Sequence, residues 1–185
     1  MNYSKTQGQV LSKMIVIGLF CVFLYVVGLW YDPFYFPEGL DFVSRCESFF
    51  PFLLCLAMPL LIAIMRVARY RFFHKNVIDA AEQSHNKVDK NLLVLQSLLT
   101  NTLEQVVLAL CVYLCWLALA PSEDLSVICL SALAFLFGRV LFFIGYKYGA
   151  GARSLGFILT FYPQVLLILH MLVVYVLLPF CFYTI

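Results

Sequence analysis

The chain has 185 residues, 64% apolar and only 12% charged, with a formal net charge of +2. Soluble domains carry about 25% charged residues, so this composition excludes a soluble globular domain, and no nucleic-acid partner is expected. Long unbroken apolar runs also exclude a transmembrane β-barrel, whose strands are short and alternate apolar with polar residues.

Five apolar runs follow one another, at roughly 11–30, 48–65, 91–120, 126–147 and 155–180, each near the about 20 helical residues that cross a hydrocarbon core. They predict an all-α polytopic membrane protein with five spans. The first run follows only Lys5 and Lys13, and no small-residue cleavage site comes after Trp30, so it reads as a retained span rather than a cleaved leader. Residues 31–45, with Pro33, Pro37 and several aromatics, form an interfacial loop. Span two ends at Arg66 and Arg69, whose long side chains can snorkel. The segment RYRFFHKNVIDAAEQSHNKVDK from Arg69 is the longest polar stretch, becoming helical as it enters span three. APSEDL (120–125) is a tight turn between spans three and four, and GAGARS (149–154) a flexible turn between four and five.

Five spans alternate the connections between two sides. The N-terminus, residues 66–90 and residues 147–153 share one side and hold Lys5, Lys13, Arg66, Arg69, Arg71, Lys75, Lys87, Lys90, Lys147 and Arg153. The other side holds Arg45 together with Asp32, Glu38, Asp41, Glu47, Glu123 and Asp124. Positive charge stays cytoplasmic in short loops, which predicts a cytoplasmic N-terminus. Cys21, Cys55, Cys111, Cys115 and Cys129 fall in or beside apolar runs, where a thiol acts as a small hydrophobe. Cys46 and Cys181 lie near one membrane surface and have the option of pairing, and no metal-ligand set is present. His74, His85 and His170 receive no role.

Two ionisable residues fall inside spans, Glu104 in the third and Arg139 in the fourth. A charge at the bilayer centre costs at least about 2.5–3.5 kcal/mol and needs a partner. Glu104 lies about 25 Å and Arg139 about 21 Å along their helices from the turn they share, at 1.5 Å per residue. This similar depth predicts a Glu104–Arg139 pair. Ser97, Asn101 and Glu104 follow i, i+4, i+7 on one stripe, and Arg139, Phe142 and Tyr146 follow i, i+3, i+7 on the next helix. With Arg153-Ser154 at the start of span five, these stripes predict a polar pocket in the basic third of the membrane. The alternative is a network that only locks helices together, with Tyr146 an interface anchor and Asn101 and Ser97 interhelical glue.

The stretch NTLEQ (101–105), the Gly-Arg-x-x-x-x-x-x-Tyr of FGRVLFFIGY (137–146) and Arg153-Ser154 together resemble the MAPEG superfamily, membrane-associated proteins of eicosanoid and glutathione metabolism. The resemblance covers about residues 45–180, leaving residues 1–44 as an added span and loop before a four-helix domain at 45–185. That added span and RSLGFILTFYP (153–163) resemble the mattrin-like branch. The resemblance implies a homotrimer in the inner or endoplasmic reticulum membrane, in contact with lipid, with glutathione between neighbouring subunits. Asn101 and Glu104 would be contacts from span three, Arg139 would brace Glu104 or the pocket, and Tyr146 would touch the tripeptide. Arg153 would stabilise the thiolate with Ser154 beside the sulfur, and Arg66 or Arg69 would complete the site. Ser97 and Thr100 stand where glutathione-using members commonly carry arginines, and Phe157 where a tyrosine is common. The activity implied is a glutathione transferase or peroxidase acting on apolar electrophiles. The alternative is a non-catalytic member that binds lipid or regulates partner membrane proteins.

Overall fold

The computed structural model describes residues 5–74 and 89–179. Helix α1 runs Lys5–Trp30, α2 Phe42–Phe73, α3 Lys90–Leu119, α4 Leu125–Gly145 and α5 Ala150–Met171, the last continuing as a π-helical stretch Leu172–Leu177. All five are long and apolar enough to cross a membrane. The chain is an all-α, multi-pass integral membrane protein. Residues 75–88 and Cys181 lie outside the described residues, as does most of the polar segment expected after Arg69, while Cys46 is a free thiol.

Each helix stops for a local reason. Between α1 and α2 the backbone turns through positive φ at Asp32, Tyr35 and Gly39. Asp32 holds this loop: its carboxylate accepts from the Phe36 amide at 3.0 Å and from the Ser126 hydroxyl. The loop is pinned further where the amides of Phe34 and Leu40 donate to Ser126 and Ser122. Helix α2 extends well past the expected 48–65, running 32 residues through Pro51 and Pro59. Hydropathy sees only the stretch that lipid covers, whereas hydrogen bonding carries the helix on into polar sequence at both ends. Asp89 caps α3, accepting from the Asn91 amide at 2.9 Å, and receives the Tyr70 hydroxyl at 2.7 Å, which ties the start of α3 to the end of α2.

APSEDL forms the expected tight turn, as a single 3₁₀ turn over Ser122–Asp124. GAGARS is different from the flexible turn expected. The chain reverses through a 3₁₀ turn at Tyr146–Tyr148 and one left-handed residue, Gly149 at φ 90°, and α5 has begun by Ala150. Arg153 and Ser154 therefore sit on regular helix, with fixed directions.

Helices α2 to α5 pack as a bundle in which α4 is central, with 56% of its span buried, and α1 lies outside along α4 and α5. The main core gathers Phe49, Leu56, Tyr113, Trp116, Phe135 and Leu167. Close approach of α4 and α5 depends on glycine: a Cβ on Gly156 would lie 2.3 Å from both the Gly138 carbonyl oxygen and the Phe142 nitrogen. The start of α1, the end of α2, the start of α3, the end of α4 and the start of α5 share one end, which carries Lys13, Arg69, Arg71, Lys90, Lys147 and Arg153. It is called the basic end below.

Candidate functional site at the basic end

A cavity of about 400 Å³ opens at the basic end, lined by Val10, Ser97, Asn101, Phe142, Tyr146, Arg153, Ser154 and Phe157. Helix α3 supplies Ser97 and Asn101, the end of α4 and the turn after it supply Phe142 and Tyr146, and the first two turns of α5 supply the rest, apart from Val10 of α1. Six residues of the expected polar stripes and of the start of α5, Ser97, Asn101, Phe142, Tyr146, Arg153 and Ser154, do line a common space.

The floor is built around Arg139. It is fully buried, 0% exposed, the second-largest fully buried side chain among the described residues. Its guanidinium donates to Asn101 Oδ1 at 2.9 Å and to Thr160 Oγ1 at 2.8 Å. Phe135 and Phe142 stand against it, with ring centroids 5.4 and 4.9 Å from Cζ. Thr160 in turn donates to the Phe157 carbonyl at 2.9 Å, so one hydroxyl links the guanidinium to the backbone of α5. Nε of Arg139 is buried without a partner.

The expected Glu104–Arg139 pair is not formed. Glu104 is exposed on the outer side of α3, while Arg139 turns to Asn101 and Thr160. Counting residues from the shared turn gives height along the two helices but not the direction around them. Three residues beyond Asn101, Glu104 points about 60° away on a 3.6-residue helix, past the edge of the contact with α4. Thr160, the partner that sequence reasoning missed, has a weak signal: it is one of the few polar residues between Ser154 and Gln164.

Around the mouth, Arg153 lies over the Tyr146 ring at 5.0 Å, and the Tyr146 hydroxyl donates to Ser97 Oγ at 3.3 Å. Ser154 donates its proton to the Gly151 carbonyl at 2.9 Å, one turn back in α5, which leaves its oxygen as an acceptor toward the cavity. Arg66 and Arg69 do not line the cavity: both are exposed on α2, near the Phe143 ring at 5.9 Å and the Phe73 ring at 6.0 Å respectively. No group of three or more His, Cys, Asp or Glu suited to a metal occurs among the described residues. The arrangement offers one mouth-side cation, hydroxyl and amide groups, and aromatic walls. Such a mixture suits a small amphipathic anion.

The chain matches no curated protein and no solved structure. A family model described as "MAPEG family" matches residues 49–173, which takes in α3, α4, most of α2 and all of α5. That match covers most of the chain and every lining residue of the cavity except Val10, and the chain belongs to the MAPEG family.

Proposed function

We propose that this MAPEG-family protein is a glutathione-dependent transferase or peroxidase, which binds glutathione in the basic-end cavity and acts on apolar electrophiles or hydroperoxides reaching it through the bilayer. The observation that carries the reading is the convergence of Arg153, Tyr146, Asn101 and Ser154 on one cavity of about 400 Å³. That size falls within the about 300–1,000 Å³ typical of small-molecule sites. Arg153 is the group placed to stabilise a thiolate, since a nearby cation favours the ionised form of a thiol whose ordinary pKa is about 8.5. Tyr146 supports the guanidinium from below through its ring, and Asn101 is oriented by Arg139. Ser154 shapes the first turn of α5 and offers an acceptor.

In a transfer, the thiolate sulfur forms a bond to the electrophilic carbon and the leaving group departs with its electron pair. With a hydroperoxide, the sulfur takes the terminal oxygen as the O–O bond breaks, the alkoxide is protonated, and a second glutathione completes the disulfide and water. Phe142, Phe157 and Val10 keep the wall apolar and limit water near the sulfur.

The functional unit under this proposal is a homotrimer with its basic end on the cytoplasmic side. Glu104 supports the trimer: a carboxylate exposed on the outer face of a span is costly against lipid, and a neighbouring subunit would cover it. Arg66 and Arg69, outside the cavity of their own chain, would then serve a neighbour's.

A second reading is a non-catalytic binder of lipid or partner membrane proteins. It is favoured by Ser154, whose only proton is already given to Gly151, and by the neutral Ser97 on the α3 wall. Equilibrium binding of glutathione to purified protein in detergent, with ultraviolet absorbance following the thiolate, separates the two. Saturable binding with a thiolate signal that disappears in Arg153→Ala supports the enzyme. No binding at millimolar glutathione overturns it and leaves the binder.

A further inference from the structure

One wall of the basic-end cavity comes from α1, the helix outside the family match. Val10 lines the cavity directly. Three residues on, and so on the same helix face, Lys13 donates from Nζ to the Gly151 carbonyl at 2.5 Å. That carbonyl oxygen is the one that also receives the Ser154 hydroxyl. Two donors meeting on one oxygen must be neighbours, so the ammonium sits beside Ser154, with Arg153 next in the chain.

The ammonium has three protons and Gly151 takes one. Among the described residues no carboxylate pairs with Lys13 or with Arg153, whose contacts are the Gly151 carbonyl and the Tyr146 ring. Held on the carbonyl that also receives Ser154, the Lys13 ammonium adds a second positive charge to the start of α5, where Arg153 and Ser154 line the cavity, and positive charge there favours an anion. The position of α1, and with it of Lys13, is set by helix docking. Gly28 lets α1 approach the backbone of α4, where a Cβ would meet Val127 Cα at 2.8 Å. Cys21 packs with Ala134 and Leu159, and Gly18 fits the Tyr162 ring.

We infer that α1 completes the binding site: Lys13 is a second anion-binding residue, holding with Arg153 an anionic group of the ligand in front of Ser154, while Val10 closes the apolar side. The inference deepens the glutathione reading and rests on it for the identity of the ligand, where the anionic group is a carboxylate or the thiolate. The charge argument itself requires only an anion.

Two measurements on full-length protein test it. In the first, glutathione sulfonate, a stable anionic analogue, is titrated into wild type, Lys13→Arg and Lys13→Met, with thermal unfolding checking that all three are equally folded. Lys13→Met weakens binding about tenfold or more, the loss of one charge-assisted hydrogen bond, and flattens its salt dependence, whereas Lys13→Arg stays within about twofold of wild type. Equal affinity and equal salt dependence in wild type and Lys13→Met overturn the inference.

The second measurement needs no ligand. A cysteine in Val10→Cys is labelled with a sulfonate-bearing or a trimethylammonium-bearing methanethiosulfonate, and the residue-10 peptide is quantified by mass spectrometry. With each rate normalised to that of the same reagent on a free thiol, the anionic reagent is favoured several-fold over the cationic one, and the normalised ratio falls toward one when Lys13→Met is added. A ratio indifferent to Lys13 overturns the inference whatever glutathione does. If wild type fails to bind the glutathione analogue while the ratio depends on Lys13, the glutathione reading fails and the cationic site of α1 and α5 stands.

Discussion

Arg139 poses the sharpest question at the scale of single residues, because a fully buried guanidinium has no carboxylate partner among the described residues. Desolvating a charge is costly, and replacing a buried charge with an apolar side chain of similar volume is often neutral or stabilising. Arg139→Met therefore stays within about 1–2 kcal/mol of wild type. Asn101 is only half-buried and recovers hydrogen bonds from water, and Thr160 keeps its bond to Phe157. Thr160→Val is worse although it is the smaller change, since it leaves a guanidinium N–H buried without an acceptor, at about 1.5–3 kcal/mol for a bond to a charged group. Denaturant unfolding of the two variants in the same detergent checks the order. If Arg139→Met is the more damaging, Arg139 serves stability rather than the orientation of Asn101. Under the glutathione reading, a binding titration separates them again: Arg139→Met loses affinity because Asn101 is no longer held.

At the scale of elements, helix contacts set by glycine decide where the site residues stand. A Cβ on Gly156 strikes backbone atoms of α4 that no rotamer change can move, so Gly156→Ala forces α4 and α5 apart. The cost is at least the about 1–3 kcal/mol typical of overpacking, and Arg153 and Ser154 shift with α5. Gly18→Ala is the control: its Cβ would meet only the edge of the Tyr162 ring at 3.1 Å, which can turn, and stability stays within about 0.5 kcal/mol. Thermal unfolding of both variants provides the comparison. The join between α2 and α3 carries a pH dependence. The Tyr70 hydroxyl and then the Asn91 amide hold the Asp89 carboxyl below its ordinary value. A carboxylate with a depressed folded pKa stabilises fully above its unfolded value, about 3.9, and loses that contribution as pH falls through the folded value. Protection factors for amide exchange in the first turn of α3, taken against the intrinsic rate at each pH, therefore fall below about pH 4. In Asp89→Asn the acid dependence vanishes while an amide oxygen still caps the helix.

At the scale of the whole molecule, the outer surface carries both lipid-facing residues and Glu104. Under the trimeric reading, native mass spectrometry in mild detergent gives an assembly of three 21.2 kDa chains. A cysteine at Glu104 then becomes less accessible to a bulky maleimide in the assembly than in the dissociated chain. A monomeric mass together with full accessibility removes the covering subunit. The asymmetry between the basic and acidic ends predicts that a tag preceding Met1 is protected in sealed right-side-out vesicles. The sequence made the class, the number of spans, the two charged ends and six of the cavity residues legible, because hydrophobic period, length and charge act locally along the chain.

Other features needed the fold. Five crossings follow from apolar length, since lipid demands that each span satisfy its own backbone, and charge bias follows from loop composition. The Asn101–Arg139–Thr160 network instead depends on the rotation of three helices about their axes, which residue spacing within each helix leaves undetermined. The Glu104–Arg139 expectation failed for that reason: equal depth is a one-dimensional quantity, and contact requires matching azimuth as well. Val10 lines the cavity, and Lys13 reaches the carbonyl of Gly151, 138 residues away in sequence, only because α1 packs along α4 and α5. The sequence by itself determined the membrane class, the spans and the candidate polar stripes; the packing of α1, α3 and α5 around α4 decided which of those side chains share one cavity.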